Sequence, residues 1–134
     1  MTLTVRWPAL LIGVLVAAPA AAGETASFIT GTYAMEGRCA AWAAIEAGGP
    51  RNVETVPETL TADGFSSWEG GCSFVSVKEV EESRRWVATM ECGEEVEEWT
   101  EEDTFNLDPA SGRISVTVEG KTSVYERCDV AKGN

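Results

Sequence analysis

Over its second half the chain alternates apolar and polar positions with a period of two, as strands do when one face points inward. The segments "CSFVSVKEV" and "RRWVATMEC" flank "EES" and read as a hairpin folded about Glu82. That fold places Cys72 opposite Cys92, Phe74 opposite Met90 and Ser76 opposite Ala88 on one face. The other face pairs Val75 with Thr89, Val77 with Val87 and Glu79 with Arg85, so like meets like and opposite charges meet. A second hairpin, "RISVTVEGKTSVYERC", turns at Glu119-Gly120, with Arg113 opposite Glu126, Ile114 opposite Tyr125 and Val116 opposite Ser123. "NLDPASGRI" lies between the two hairpins, with Pro109 and Gly112 in turn positions.

Upstream the pattern changes. In "SFITGTYAMEG" the β-formers Phe28, Ile29, Thr30, Thr32 and Tyr33 surround Gly31 and predict a first strand. "RCAAWAAIEAGGP" is alanine-rich and predicts a short helix near residues 39–47, with Trp42 and Ile45 on one face and Gly48 and Pro50 to end it. "RNVETVPETLTADG" reads as an extended connection through Val56-Pro57 to a turn at Asp63-Gly64. The sum is a mainly β chain of one short helix and six or seven strands. A small antiparallel meander closing into a barrel or half-barrel fits best, since closure removes exposed edges. The alternative is a two-sheet β-sandwich.

The first residues, "MTLTVRWPALLIGVLVAAPAAAGE", fit none of these patterns. A minimal basic start at Arg6, a short apolar run and Ala20-Ala21-Ala22 predict a signal peptide over 1–22, cleaved after Ala22. Residues 9–18 are too short to span a bilayer that needs roughly 20 apolar residues, so no membrane span is expected in the mature chain. Residues 23–134 are then a single disulfide-stapled β-domain, periplasmic or secreted. Its four cysteines predict two disulfides in an oxidising compartment. The hairpin register favours Cys72–Cys92, which leaves Cys39–Cys128; the rival Cys39–Cys72 with Cys92–Cys128 stays open.

Charge narrows the function classes. The net charge of −12 becomes −13 once Arg6 leaves with the leader, so nucleic acid is repelled and cationic partners are attracted. There is no histidine, which removes the usual general base and the commonest transition-metal ligand. No phosphate-binding loop or nucleophile elbow occurs, and the expectation is a protein that is not an enzyme, with no catalytic residues, no cofactor and no metal. The acidic run "CGEEVEEWTEEDTF" supplies the candidate binding residues Glu94, Glu95, Glu97, Glu98, Trp99, Glu101, Glu102 and Asp103, with Trp68 nearby in sequence. Its glutamates lack the glycine and the spacing of a calcium loop.

On a regular strand Trp99, Phe105 and Leu107 share a face with Glu97, Glu101 and Asp103. Three inward carboxylates are costly to bury, so a break between Thr100 and Asp103 is expected to turn the acids outward. Trp42, Trp68, Trp86 and Trp99 are expected in the core, Trp86 against the Cys72/Cys92 pair and Trp42 plugging one barrel end; the alternative is that Trp68 and Trp99 line a pocket mouth. The leading function is a non-catalytic, inhibitor-like interaction module for a basic envelope protein. The alternatives are a small-molecule carrier with an aromatic-lined cavity and a structural envelope protein with no dedicated ligand. A carrier predicts a cavity beside Trp68 or Trp99. An inhibitor predicts an exposed acid-rich loop beside an aromatic anchor.

The order "GTY…C", "WEGGCSFVSV", Trp86 followed at Cys92 by the next cysteine, "EEW" and terminal "YERC" resembles small exported four-cysteine proteins of proteobacteria. The resemblance runs over most of residues 23–134 and rests on framework residues. It implies a shared scaffold and carries no activity to any position.

Overall fold

The structure is a computed structural model that describes residues 23–128; the expected signal peptide lies outside them. Eight strands and one helix follow one another along the chain. They are β1 (Tyr33–Met35), α1 (Cys39–Glu46), β2 (Thr59–Thr61), β3 (Gly64–Ser66), β4 (Gly70–Glu81), β5 (Arg85–Glu94), β6 (Glu97–Leu107), β7 (Ile114–Val118) and β8 (Lys121–Arg127). Each strand pairs antiparallel with the next, and β8 pairs back onto β1, so the sheet is a closed barrel. The predicted barrel is therefore present, with more strands than the six or seven expected. The extra pairing comes from "RNVETVPETLTADG", whose Thr59–Thr61 forms a short hairpin with Gly64–Ser66. Only Leu60 of that three-residue strand is buried, too little alternation to stand out from a polar connection.

Phe74, Met90, Phe105, Ile114, Val116, Leu60 and Tyr125 fill the interior. Trp86 is buried with them, but it stacks on Phe28 at the start of β5, six residues along the strand from Cys92, and not on the Cys72/Cys92 pair as expected. Both favoured disulfides form, Cys39–Cys128 and Cys72–Cys92, a pattern compatible with an oxidising compartment.

The β4–β5 hairpin keeps the predicted pairs Cys72–Cys92 and Phe74–Met90, then departs from them. Ser76 lies opposite Thr89 and Val77 opposite Ala88, because a bulge between Phe74 and Ser76 takes up one extra residue, Val75. A second irregularity between Glu79 and Glu81 brings Glu81, in place of Glu79, opposite Arg85. Burial explains the first shift. Unbroken alternation after Phe74 would aim Ser76 and Lys78 into the barrel, whereas the bulge turns Val77 inward against the core. The β7–β8 hairpin keeps its predicted register, Ile114 opposite Tyr125 and Val116 opposite Ser123. Its turn places Glu119 at φ 49° and Gly120 at φ 79°, the left-handed pair that a two-residue hairpin needs.

The expected first strand is shorter than "SFITGTYAMEG" suggests, since pairing begins at Tyr33. The residues before it plug one end of the barrel. Phe28 stacks on Trp86 at 3.9 Å between ring centroids, Ile29 is buried, and the Ala26 N–H donates to the Ala62 carbonyl at 2.8 Å. Trp42 does not plug the barrel: it is half-buried outside the core cluster, and Ile45 is the helix residue that is buried. The opposite end carries the turns after β3, β5 and β7, and it stays open.

Candidate functional site

The open end holds a cavity of about 330 Å³. Phe65 of β3, Trp99 of β6, Tyr125 of β8, and Val116 and Val118 of β7 form its apolar wall. Gly70, Gly71 and Gly93 line one side, and at two of them the backbones come too close for a side chain. A Cβ on Gly71 would fall 2.3 Å from the Phe65 carbonyl oxygen, and one on Gly70 would fall 2.0 Å from that of Gly93. The sequence "WEGG" thus closes the barrel wall tightly and leaves the space inside to the aromatic rings.

The expected break in the acidic run is absent. β6 pairs with β5 residue for residue from Glu94–Glu97 to Arg85–Asn106, with no register shift. Regular alternation therefore carries Glu101 and Asp103 onto the interior side with Phe105. Asp103 is 1% exposed, and neither of its carboxylate oxygens has a hydrogen-bond partner. Burial, then the charge of the neighbouring Glu101 and the proton that the two carboxyls can share, then the Glu58 carboxylate, push its pKa up to about 7.

The other polar groups of the cavity are engaged. The Tyr125 hydroxyl donates to Glu58 Oε1 at 2.5 Å. Burial and that hydrogen bond hold the phenol protonated far above its ordinary range. Trp99 Nε1 donates to Glu101 Oε2 at 3.0 Å, while Glu101 Oε1 rests 3.8 Å from Cys72 Sγ. Two aromatic donors thus hold the two carboxylates nearer the mouth, and Asp103 sits deeper, its oxygens facing the Glu101 carboxyl and meeting no N–H donor. Glu119 and Lys121 complete the rim.

Of the candidate residues read from the sequence, Glu94, Trp99, Glu101 and Asp103 line this cavity. Glu98 borders a neighbouring groove with Trp99, and Glu95, Glu97 and Glu102 point elsewhere. Glu94 is exposed, and the neighbouring Glu69 carboxyl raises its pKa. Neither Trp68, 50% exposed in the β3–β4 turn, nor Trp99, 40% exposed, lies in the core as expected; of the two, Trp99 lines the cavity and Trp68 does not. Glu58, Phe65, Ser123 and Tyr125 were not anticipated. Tyr125 carried a signal, since its predicted partner Ile114 marks it as inward-facing; Glu58 carried none.

Among the described residues, one trio of potential metal ligands converges: Cys72, Cys92 and Glu101. Its two sulfurs are joined as a disulfide, so no thiolate is available to a cation there. Comparison with protein-family models, with curated proteins and with solved structures gave no match.

Proposed function

We propose that this chain is a non-catalytic binding module that takes a small molecule into the open end of its barrel. Asp103 carries the reading. A carboxyl buried without a partner costs the fold free energy, typically several kcal/mol for a charged form before its pKa adjusts. Its position at the floor of a preformed cavity makes sense if a ligand supplies the missing partner. The surrounding shell supports the same reading, since Trp99 and Tyr125 fix Glu101 and Glu58 in place before any ligand arrives. The two disulfides and the leader-like start suit a periplasmic or secreted carrier, within the four-cysteine scaffold that the sequence resembles.

A thermal-unfolding screen of chemically mixed small molecules tests the proposal, with Ser123→Trp and Val118→Trp as variants that fill the cavity. A compound that stabilises the native chain and neither variant supports it. If no compound stabilises the native chain, or if the filled variants respond equally, the proposal fails.

One observation favours docking to a basic envelope protein as a second reading. Val96 is 94% exposed at the tip of the β5–β6 hairpin, with Glu94, Glu95, Glu97 and Glu98 around it. An apolar tip ringed by acids suits a cationic surface. Replacing Val96 with Asp should abolish such docking while leaving small-molecule binding intact.

A further inference from the structure

Building on the cavity reading, we infer that the ligand is an organic cation, a protonated amine attached to a small apolar body. The lining carries five carboxylates, Glu58, Glu94, Glu101, Asp103 and Glu119, against the single ammonium of Lys121 at the exposed start of β8. An anionic ligand would meet repulsion on nearly every side. A neutral ligand could donate a hydrogen bond to Asp103 but would bring no positive charge to offset the five carboxylates.

A bare metal ion suits the geometry poorly, because the carboxylate oxygens are spread along the wall. The one convergent trio among the described residues is the disulfide with Glu101. An ammonium attached to an apolar body uses every part of the site. Its charge is drawn to the Glu101 and Asp103 carboxyls toward the floor, while Phe65, Trp99 and Tyr125 cover its carbon skeleton. The cavity volume of about 330 Å³ limits the body to a small one, near the lower end of ligand pockets, which run from about 300 to 1,000 Å³.

Binding should also release a proton. An empty site holds Asp103 about half protonated at pH 7, and an ammonium beside it favours the charged form. Glu101 on β6, Glu58 before β2, and Glu94, Glu119 and Lys121 at the rim share the field, while the Tyr125 phenol stays neutral. Affinity for an amine therefore rises between pH 6 and 8, as long as the amine itself remains protonated.

Titration calorimetry at fixed ionic strength decides the matter, with 2-phenylethylamine, 2-phenylethanol and calcium chloride as probes. The proteins are the native chain, Asp103→Asn and Ser123→Trp, each checked for fold by circular dichroism. The expected result is amine binding at least about tenfold tighter than that of the alcohol, tighter at pH 8 than at pH 6. Asp103→Asn should weaken the amine by about 10–100-fold and leave the alcohol unchanged, and Ser123→Trp should abolish amine binding.

If the alcohol binds as well as the amine, or if Asp103→Asn leaves the amine unaffected, the organic-cation assignment is overturned. The cavity reading survives that result provided Ser123→Trp still blocks binding. Calcium binding that depends on Asp103 would replace the amine with a metal ion. Absence of binding by every probe overturns the assignment, and an empty small-molecule screen then removes the cavity reading with it.

Discussion

Asp103 is the residue at which sequence and structure part most clearly. Its strand position was legible, because it lies two residues before Phe105 on the same face. What misled was a general rule: buried carboxylates are costly, so a break was expected to remove them from the interior. The barrel keeps the strand regular and bears the cost at Asp103. The consequence is measurable in the unliganded protein. The folded state holds the Asp103 proton up to about pH 7, whereas an unfolded chain releases it near the ordinary value of 3.8. Its stabilising contribution is complete below that ordinary value and disappears as pH rises through 7. Asp103→Asn should therefore gain stability relative to the native chain between pH 4 and pH 7, by on the order of 2 kcal/mol at neutral pH. Thermal unfolding of both proteins across that range checks the trend; parallel curves would contradict it.

At the scale of elements, the hairpins were readable because one buried face fixes their register, and the β7–β8 pairing followed the sequence from Ile114–Tyr125 to the turn, while Arg113, expected opposite Glu126, pairs with Glu36. The β4–β5 pairing slipped at Val75 because a bulge leaves no mark in a two-residue alternation until its far side is compared with the core. Deleting Val75 should leave Phe74 and Val77 both inward on an unbulged strand, so that variant should fold with a near-native unfolding transition. Deleting Thr89 should fail to fold, because Ala88 and Met90, both buried, would become adjacent and face opposite sides. Circular dichroism and unfolding of the two deletions distinguish these outcomes. The N-terminal plug misled for another reason: Phe28 and Ile29 are strong β-formers, yet their burial comes from capping a barrel end. Phe28→Ala should cost about 2–3 kcal/mol and shift Trp86 fluorescence toward the red as water reaches the ring.

Across the whole molecule, the acidic surface is poorly matched by cations. The ion pairs Arg85–Glu81 and Arg113–Glu36 are both exposed and contribute little. Moderate salt should therefore raise the unfolding midpoint by screening self-repulsion, a trend that calorimetry at 20 mM and 300 mM NaCl would show or refute. The disulfides carry more weight. Cys39–Cys128 spans 89 residues and Cys72–Cys92 spans 20, so in the chain-entropy model the long bridge contributes about 4–5 kcal/mol and the short one about 3. Replacing each pair by serines should destabilise the chain in that order.

Because every strand of the barrel except the closing pair meets its neighbour in the chain, assembly can proceed as a series of local hairpins. The β1–β8 seam joins the two ends of the sheet across nearly the full described length, with Tyr33–Arg127, Ala34–Glu126 and Met35–Tyr125 as its ladder pairs, flanked by the Cys128 N–H to Thr32 and Glu36 N–H to Val124 hydrogen bonds. Three residue pairs are a short zipper for the slowest contact in the fold. Cys39 and Cys128 lie just beyond that seam, one on each side. Their bridge makes closure a local event once it has formed, and reduction should return the seam to a door that opens before the rest of the wall.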